Sequence, residues 1–526
     1  MKNMIPPALF YTLVVSLGGF IFGFDASVIS GAIGFISDQY QLTSWQQGFV
    51  VSSPTLGGLF ATLFAGIVSD AIGRRKTLIL IAALFVISAA ASALAQGYWM
   101  LVIARFIGGM AFCSLMVAPM YIAEISLPEH RGKLVSINQL NIVLGFSVSY
   151  FSNYCLLQWA QSDAVWVDTL ALNEHLWRWM LGLELIPAVC WLVLLFVIPR
   201  SPRWLLMQRL EDEAEFVATK LFSAQQMEQQ LRSMRASLQQ QVPPLKVRIK
   251  KVFGRKLRFA LMIGLLVAVA QQITGINVIF FYAPTIFEQS GVGTNTAFAQ
   301  AVWIGVVNVI FTIVAMLSID RYGRKPLLLF GLSGIAVSMA MCTWGFNQAT
   351  YQLEQKALTQ LSTVVPAEVI TNLEPMASIS FDNDVAFKEA LAKHLSEQQL
   401  QSHQSVIMAQ SITMNATLVL VGITLFVAAF AVSLGPVMWV MFSEIFPNEV
   451  RAVAISVVTV INNGVSFLVQ LVFPWELAKY GAAMTFAIYG VFALLSLLLV
   501  WRYLPETKGK SLEQLELDLS CNRNQA

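Results

Sequence analysis

Twelve stretches of mostly apolar residues run through this chain, at approximately 9 to 32, 46 to 68, 77 to 96, 98 to 123, 134 to 158, 178 to 199, 258 to 286, 298 to 318, 326 to 346, 414 to 442, 452 to 475 and 481 to 503. A helix of about 20 such residues crosses a hydrocarbon layer of roughly 30 Å and closes its backbone hydrogen bonds within itself. Only 12% of the residues are charged and 57% are hydrophobic, against about 25% charged in a soluble globule. The solvent of this chain is therefore lipid, and the expected fold class is an all-α membrane protein with twelve spans in two sixes. The first run contains Gly23 and Asp25, follows only Lys2, and lacks a small-residue cleavage site, so it reads as a retained helix.

The two sixes are copies of one plan. The signature Asp70, Gly73, Arg74, Arg75, Lys76 between the second and third runs returns as Asp320, Gly323, Arg324, Lys325 between the eighth and ninth. Glu124 and Arg131, just after the fourth run, return as Glu444 and Arg451 after the tenth. The first signature repeats after 250 residues and the second after 320, which places an insertion of about 70 residues in the second copy. Duplicated halves with sites between them are characteristic of secondary transporters. The division read here is a first bundle at 1–199, a linker at 200–257, a second bundle at 258–503 carrying an insert at 347–413, and a tail at 504–526.

Lys and Arg are retained on the cytoplasmic side of membranes. With both termini cytoplasmic, 27 of the 33 basic residues fall on that side, the others being Arg105, Arg178, Lys356, Lys388, Lys393 and Lys479. The net charge of +3 is thereby an orientation signal, and nucleic acid is not an expected partner. The five cysteines lack metal-ligand spacing. The linker reads as short amphipathic surface helices whose basic end, Lys246 to Arg258, could touch anionic lipid. In the insert seven acidic residues outnumber three lysines, and 384–404 has few helix breakers; a small helical cap over the outer mouth is one reading and an inert insertion the other.

The paired signatures predict tight turns at Gly73 and Gly323, with Asp70, Arg74, Arg75, Glu124, Arg131, Asp320, Arg324, Glu444 and Arg451 forming ionic locks that hold the inner ends of the two halves together. The plainer alternative is a set of interfacial charges that only fix topology. Asp25 is more informative, because an ionisable group inside a span costs several kcal/mol and is seldom kept without a role.

With these motifs stand Gly23-Phe24-Asp25 running on to Gly31, Pro119 with Gly132-Lys133, Ser201-Pro202-Arg203-Trp204-Leu205, Gln271-Gln272 with Gly275-Ile276-Asn277, Gly435-Pro436 with Trp439, and Pro505-Glu506-Thr507-Lys508-Gly509. Together they resemble the sugar porter family of the major facilitator superfamily, in family order over nearly the whole chain. The resemblance implies the major facilitator fold and alternating access. An acid at position 25 is similar to the proton-coupled members, with Arg105 as its partner: outside protonation of Asp25 would free Arg105 and permit substrate-bound closure, the alternative being a permanent ion bridge. Sugar hydroxyls both donate and accept, so a sugar site needs amides and an aromatic face. Gln271, Gln272, Asn277 and Asn462 are the expected amides, beside a helix that family members break near Gly275, and Trp439 the expected ring. The chain departs from the family pattern at Phe146 and Asn463, where a glutamine and a tryptophan are usual, at Phe281 in place of a tyrosine, and at Arg200 in place of an acid.

No phosphate loop, zinc spacing or nucleophile with a base is present in the sequence, so an enzyme is not expected, nor any metal or cofactor beyond the proton as coupling ion. The resulting expectation is a monomeric carrier in a bacterial inner membrane, importing a monosaccharide or polyol with protons. A facilitative sugar or inositol uniporter and a non-transporting nutrient sensor are the rival readings. A sensor would carry a long signalling tail, and about 23 residues follow the last run.

Overall fold

Helix length measured against bilayer thickness organises the structure, a computed structural model describing residues 7–239, 243–362, 365–447 and 449–508. Among these, eleven helices are long and apolar enough to cross a membrane. The last, Arg451–Tyr503, has 53 residues, about 80 Å at 1.5 Å per residue and more than twice a bilayer core. It is two spans joined at Gly481, whose φ of 75° lies in the left-handed region, so twelve crossings result. Spans 1 to 6 are Pro7–Tyr40, Ser44–Ile72, Arg74–Ala93, Tyr98–Ile125, Pro128–Ala160 and Leu176–Leu194. Spans 7 to 9 are Arg258–Phe281, Thr294–Tyr322 and Arg324–Asn347. Span 10 comprises Ala416–Val432 and Leu434–Ile445, and spans 11 and 12 are 451–480 and 482–503.

In the second half, spans 7 and 10 are broken inside the membrane, and the breaks face each other. Span 7 stops at Ile273 and resumes at Ile276 around Gly275, which has φ 89°. Span 10 breaks at Ser433, because Pro436 has no N–H to give to the carbonyl of Val432. The freed backbone groups need partners in a medium without water. Gln271 Nε2 donates to the Leu434 carbonyl at 3.0 Å, and Ser433 Oγ to that of Ala429 at 2.6 Å.

Within the first half span 1 packs mainly on span 5 and span 2 on span 4; within the second, span 9 packs on spans 10 and 12 and span 7 on span 11. The halves meet through span 2 against span 11 and span 5 against span 8. Trp45 stacks on Trp475 at 5.7 Å between ring centroids, Gln158 donates to Asn295 at 3.1 Å, and Tyr150 donates to the Phe280 carbonyl at 2.5 Å. These contacts lie toward the side of the membrane that carries the insert. Among the described residues the side-chain bonds and ring contacts between the spans of the two halves lie toward the insert or at mid-membrane, and none lies at the linker side.

The linker forms helices Pro202–Met207, Glu211–Leu221, Ala224–Gln239 and Leu245–Val252; the first three share a small core around Trp204, Leu205, Val217 and Phe222. The insert is more than a helical cap. Strands β1 (Thr350–Gln352), β2 (Ser380–Phe381) and β3 (Ile412–Thr413) form an antiparallel sheet in the order β2-β1-β3, packed with helices around Tyr351, Leu373, Phe387 and Leu391. The expected helix over 384–404 is two, Asp384–His394 and Glu397–Ser411. Ser396 interrupts it, because its side chain and that of Gln399 cap the second helix reciprocally. The insert is seated on the span 11–12 joint, where Asp384 Oδ1 lies 2.2 Å from a Cβ built on Gly481.

Closure toward the insert depends on Gly48, where an added Cβ would stand 2.1 Å from the carbonyl oxygen of Leu471 in the other half. Overpacking costs about 1–3 kcal/mol, equivalent to a roughly 5- to 150-fold shift between two states. Gly48→Trp is therefore expected to lengthen the distance between spin labels placed on the insert-side ends of spans 2 and 11. An unchanged distance distribution would contradict the packing described.

Candidate functional site

The first half holds a dry cluster of charge. Asp25, in the middle of span 1, is 1% exposed and Arg105 of span 4 is 2% exposed. The Arg105 guanidinium pairs with the Asp25 carboxylate and also donates to the Asp25 carbonyl, at 3.3 Å from Nη1 and 3.2 Å from Nη2. A third member is Glu184 of span 6, 2% exposed and within electrostatic reach of both. Asp25 Oδ2, Arg105 Nε and Glu184 Oε1 are buried without hydrogen-bond partners among the described residues. One guanidinium faces two carboxyls, so the group is electroneutral with one proton bound and negative without it. Among apolar helices that difference is costly, and the cluster can store a proton. Glu184 was not among the expected site residues. The rule that singles out Asp25 applies to it, since it lies in the apolar run 178–199, but no motif surrounds it.

The second half holds a net of amides at the break in span 7. Gln272 Nε2 donates to Gln271 Oε1 at 3.2 Å and to Asn462 Oδ1 at 3.1 Å. Asn462 Nδ2 donates to Gln271 Oε1 at 3.1 Å and to the Ala268 carbonyl at 2.9 Å. Asn277 Nδ2 donates to Gln272 Oε1 at 2.9 Å and to Ser466 Oγ at 2.6 Å. Residues 271 and 277 would not share a face of one straight helix; the left-handed turn at Gly275, covered by the Tyr489 ring, turns them together. The net continues through Gln470, which donates to Ser466 at 2.7 Å, and leaves the half where Thr55 of span 2 donates to Gln470 Oε1 at 3.0 Å.

Trp439 is not in this net. It is 45% exposed and packs edge-on against Phe442, while its neighbour Met438 is the residue whose sulfur lies 3.9 Å from Asn462. The helical turn from 438 to 439 rotates the indole away. Phe146, where an amide is usual, packs on Phe280 of the other half with centroids 4.9 Å apart. Phe281 is buried and Asn463 half-buried.

The charges on the linker side form two brackets, one in each half. Arg74 bridges Asp70 at 2.8 Å and Glu124 at 3.0 Å, and Ser201 donates to Glu124 at 2.5 Å. In the second half Arg324 pairs with Glu444 at 2.7 Å, and Thr507 donates to Glu444 at 2.6 Å. In this arrangement both brackets join elements of the same half, and neither ties one half to the other. Three basic residues differ from expectation. Arg75 donates to the carbonyls of Phe196 at 2.6 Å and Leu195 at 3.4 Å, Arg131 to that of Ala123 at 3.2 Å and Arg451 to that of Phe446 at 3.0 Å. They serve the negative ends of helices instead of carboxylates. The Asp320 side chain lies outside the described residues.

The brackets differ at one position. Glu506 covers Gly323 and accepts from the backbone N–H of Arg324 and Lys325, both at 3.0 Å, and from Thr507 and Lys508 at 2.9 and 2.8 Å. In the first half Arg200 stands there and turns to Glu213 at 3.1 Å; the Trp204 ring covers Gly73 and its Nε1 donates to the Asp70 carbonyl at 2.9 Å.

A duplicated twelve-span bundle with a buried carboxyl–guanidinium cluster in one half and an amide net at broken helices in the other has the architecture of a secondary carrier. The sequence model of the family described as "Sugar (and other) transporter" matches residues 11–370 and 401–519, and the chain belongs to this family of the major facilitator superfamily. It is 35% identical over 505 residues to the arabinose-proton symporter of Bacillus subtilis, covering 95% of this chain and 92% of that one. It is 31% identical over 541 residues to the D-xylose-proton symporter of Escherichia coli, covering 96% and 94%. Among solved structures it resembles the inward open conformation of the xylose transporter XylE from E. coli, with a TM-score of 0.73 at 30% identity over 97% of this chain and 99% of that one. The likeness to XylE bound to 6-bromo-6-deoxy-D-glucose has a TM-score of 0.67 at 31% identity, over 97% and 99% of the two chains. The family and these relatives are transporters, not enzymes.

Burial pushes the Glu506 carboxyl up, but its four backbone donors outweigh this and hold it below the usual carboxylate range. A depressed carboxyl contributes stability that is complete above its unfolded value, near 4.3, and is lost as pH falls through its folded value. Glu506→Gln is thus expected to lower stability at pH 7 by about 1 kcal/mol, the small figure reflecting partial solvation. Its melting temperature should converge with that of the wild type on acidification below the carboxylate range. A deficit independent of pH would contradict the charge-based role.

Proposed function

We propose that the protein imports a monosaccharide or related polyol together with a proton by alternating access. The observation that carries this reading is the pairing of a water-free carboxyl–guanidinium cluster in one half with an amide net at two helix breaks in the other. The amide net reaches the first half through the hydrogen bond from Thr55 of span 2 to Gln470. The names of the relatives, arabinose-proton and D-xylose-proton symporters, support both the cargo and the coupling ion.

Asp25 is the proton carrier and Arg105 its counter-ion. When Asp25 holds a proton the guanidinium loses its partner and must find another acceptor, of which Glu184 is within reach. Proton loading therefore repositions Arg105 and, through it, span 4 against spans 1 and 6. Gln271, Gln272, Asn277 and Asn462 satisfy one another without cargo, so sugar hydroxyls replace amide–amide bonds without leaving a buried donor unpaired. The linker side is cytoplasmic, as the basic residues require, and the arrangement is the one open to the cytoplasm. The brackets at Asp70, Arg74, Glu124 and at Arg324, Glu444 brace each half so that it moves as a body, with Arg75, Arg131 and Arg451 holding helix ends. The membrane is the bacterial inner membrane, with both termini cytoplasmic and one chain as the transporting unit.

Asp25→Asn keeps the size of the side chain and removes its proton. In proteoliposomes the variant is expected to lose accumulation driven by a proton gradient, falling to the equilibrium level, while retaining counterflow of labelled sugar. If uphill accumulation persists, coupling does not run through Asp25. If the wild type only equilibrates sugar, reaching the same level with and without a protonophore, the facilitative reading replaces the proposal.

A further inference from the structure

Span 11 carries an acid that neither the Asp25 cluster nor the brackets use. Glu476 is half-buried near the insert-side end of this helix, about 8 Å short of the joint at Gly481 at 1.5 Å per residue. Among the described residues no Lys or Arg pairs with it; Lys479 lies instead over the rings of Trp475 and Tyr480, 5.0 and 5.6 Å from their centroids. An ionisable side chain at the edge of the hydrocarbon is costly to keep. The bond it makes is to span 12, where the Tyr489 hydroxyl donates to Glu476 Oε2 at 3.1 Å. Tyr489 is 4% exposed, a buried phenol needs an acceptor, and a carboxylate is a stronger one than a neutral oxygen.

The ring of the same tyrosine meets the break in span 7. A Cβ built on Gly275 would stand 3.2 to 3.5 Å from three of the ring carbons, so the ring occupies the space where a side chain would lie on this left-handed residue. The hydrogen bonds of the turn itself are local. Gly275 N–H donates to the Gln272 carbonyl at 3.1 Å and Ile279 N–H to the Gly275 carbonyl at 3.0 Å; both run along the chain and give no support from the side. Tyr489 gives that support, and its position along span 12 is pinned by the bond to Glu476. The two segments that the turn joins carry Gln271 and Gln272 on one side and Asn277 on the other.

We propose that Glu476 and Tyr489 are positioning residues for the cargo site: the carboxylate holds the ring against Gly275, and the ring sets the angle at which Asn277 meets Gln271 and Gln272. The proposal rests on the reading of these amides as the cargo net and adds the device that aligns them.

The test uses the full-length protein in proteoliposomes with labelled arabinose and D-xylose as probes. Tyr489→Phe, which keeps the ring, and Glu476→Leu should each raise the half-saturating sugar concentration about tenfold. The accumulation ratio at saturating sugar should stay at the wild-type level, because the Asp25 cluster lies in the other half. Glu476→Gln, which still accepts from the hydroxyl, should remain within about twofold of the wild type, and the Tyr489→Phe/Glu476→Leu double variant should be no worse than the worse single one. Without any sugar, hydrogen exchange of the backbone at 273–279 should be faster in Tyr489→Phe and Glu476→Leu than in the wild type and Glu476→Gln. Asn277→Ala reads the net itself. If it raises half-saturation while Tyr489→Phe and Glu476→Leu do not, the positioning role falls and the cargo reading stands. If Asn277→Ala leaves half-saturation unchanged, the cargo reading falls and takes the proposal with it. A lowered accumulation ratio at unchanged half-saturation in Tyr489→Phe would also overturn the proposal, by placing the pair in coupling and not in cargo alignment.

Discussion

A charge that cannot reach water is the constraint on which this structure turns. Arg105 is fixed in charge, 2% exposed, and set among helices whose other side chains are largely apolar; such a group persists only where an anion compensates it. Asp25 supplies the anion and Glu184 a second carboxyl. The packing of spans 1, 4 and 6 therefore rests on the charge balance among these three side chains. An ordinary salt bridge at a surface would have no such leverage, because solvent would absorb the change.

The second half works with dipoles. Each of its two helix breaks frees backbone groups that the hydrocarbon cannot satisfy, and amide side chains meet that demand: Gln271 serves the carbonyl at the break in span 10. The groups that stabilise the broken helices are the same groups that can exchange partners with a hydroxylated cargo. Thr55 and Gln470 extend this net to span 2, giving it a direct bond to the half that holds the Asp25–Arg105 pair.

Much of the architecture was legible in the chain. Twelve apolar runs, the duplicated signatures and the position of the insert follow from run length and spacing, and the joint at Gly481 resolves the one helix that exceeds a bilayer. Gln271, Gln272, Asn277 and Asn462 were readable because amides are conspicuous in a span, whereas Gln470, two turns beyond Asn462, joins the net only through Ser466. Geometry beyond spacing was not. Arg75, Arg131 and Arg451 serve carbonyls at helix ends, an acceptor that exists only once the neighbouring helix stops nearby. Trp439 turns from the net because one residue along a helix is a rotation of 100°, and a sequence motif does not give the zero of that angle. The strands of the insert are two or three residues long, too short for alternation to register. Glu184 was passed over for want of a motif, although its burial follows the same rule as that of Asp25.

The duplication also shows how one mechanical element tolerates different chemistry. Both halves close the turn before their third helix, at Gly323 with the Glu506 carboxylate and at Gly73 with the Trp204 ring. The most direct test of the whole account is the pH of a weakly buffered suspension of right-side-out vesicles when a transported sugar is added. The account predicts alkalinisation of the medium that follows sugar entry and is abolished by a protonophore. Sugar entry without any change in external pH would contradict it.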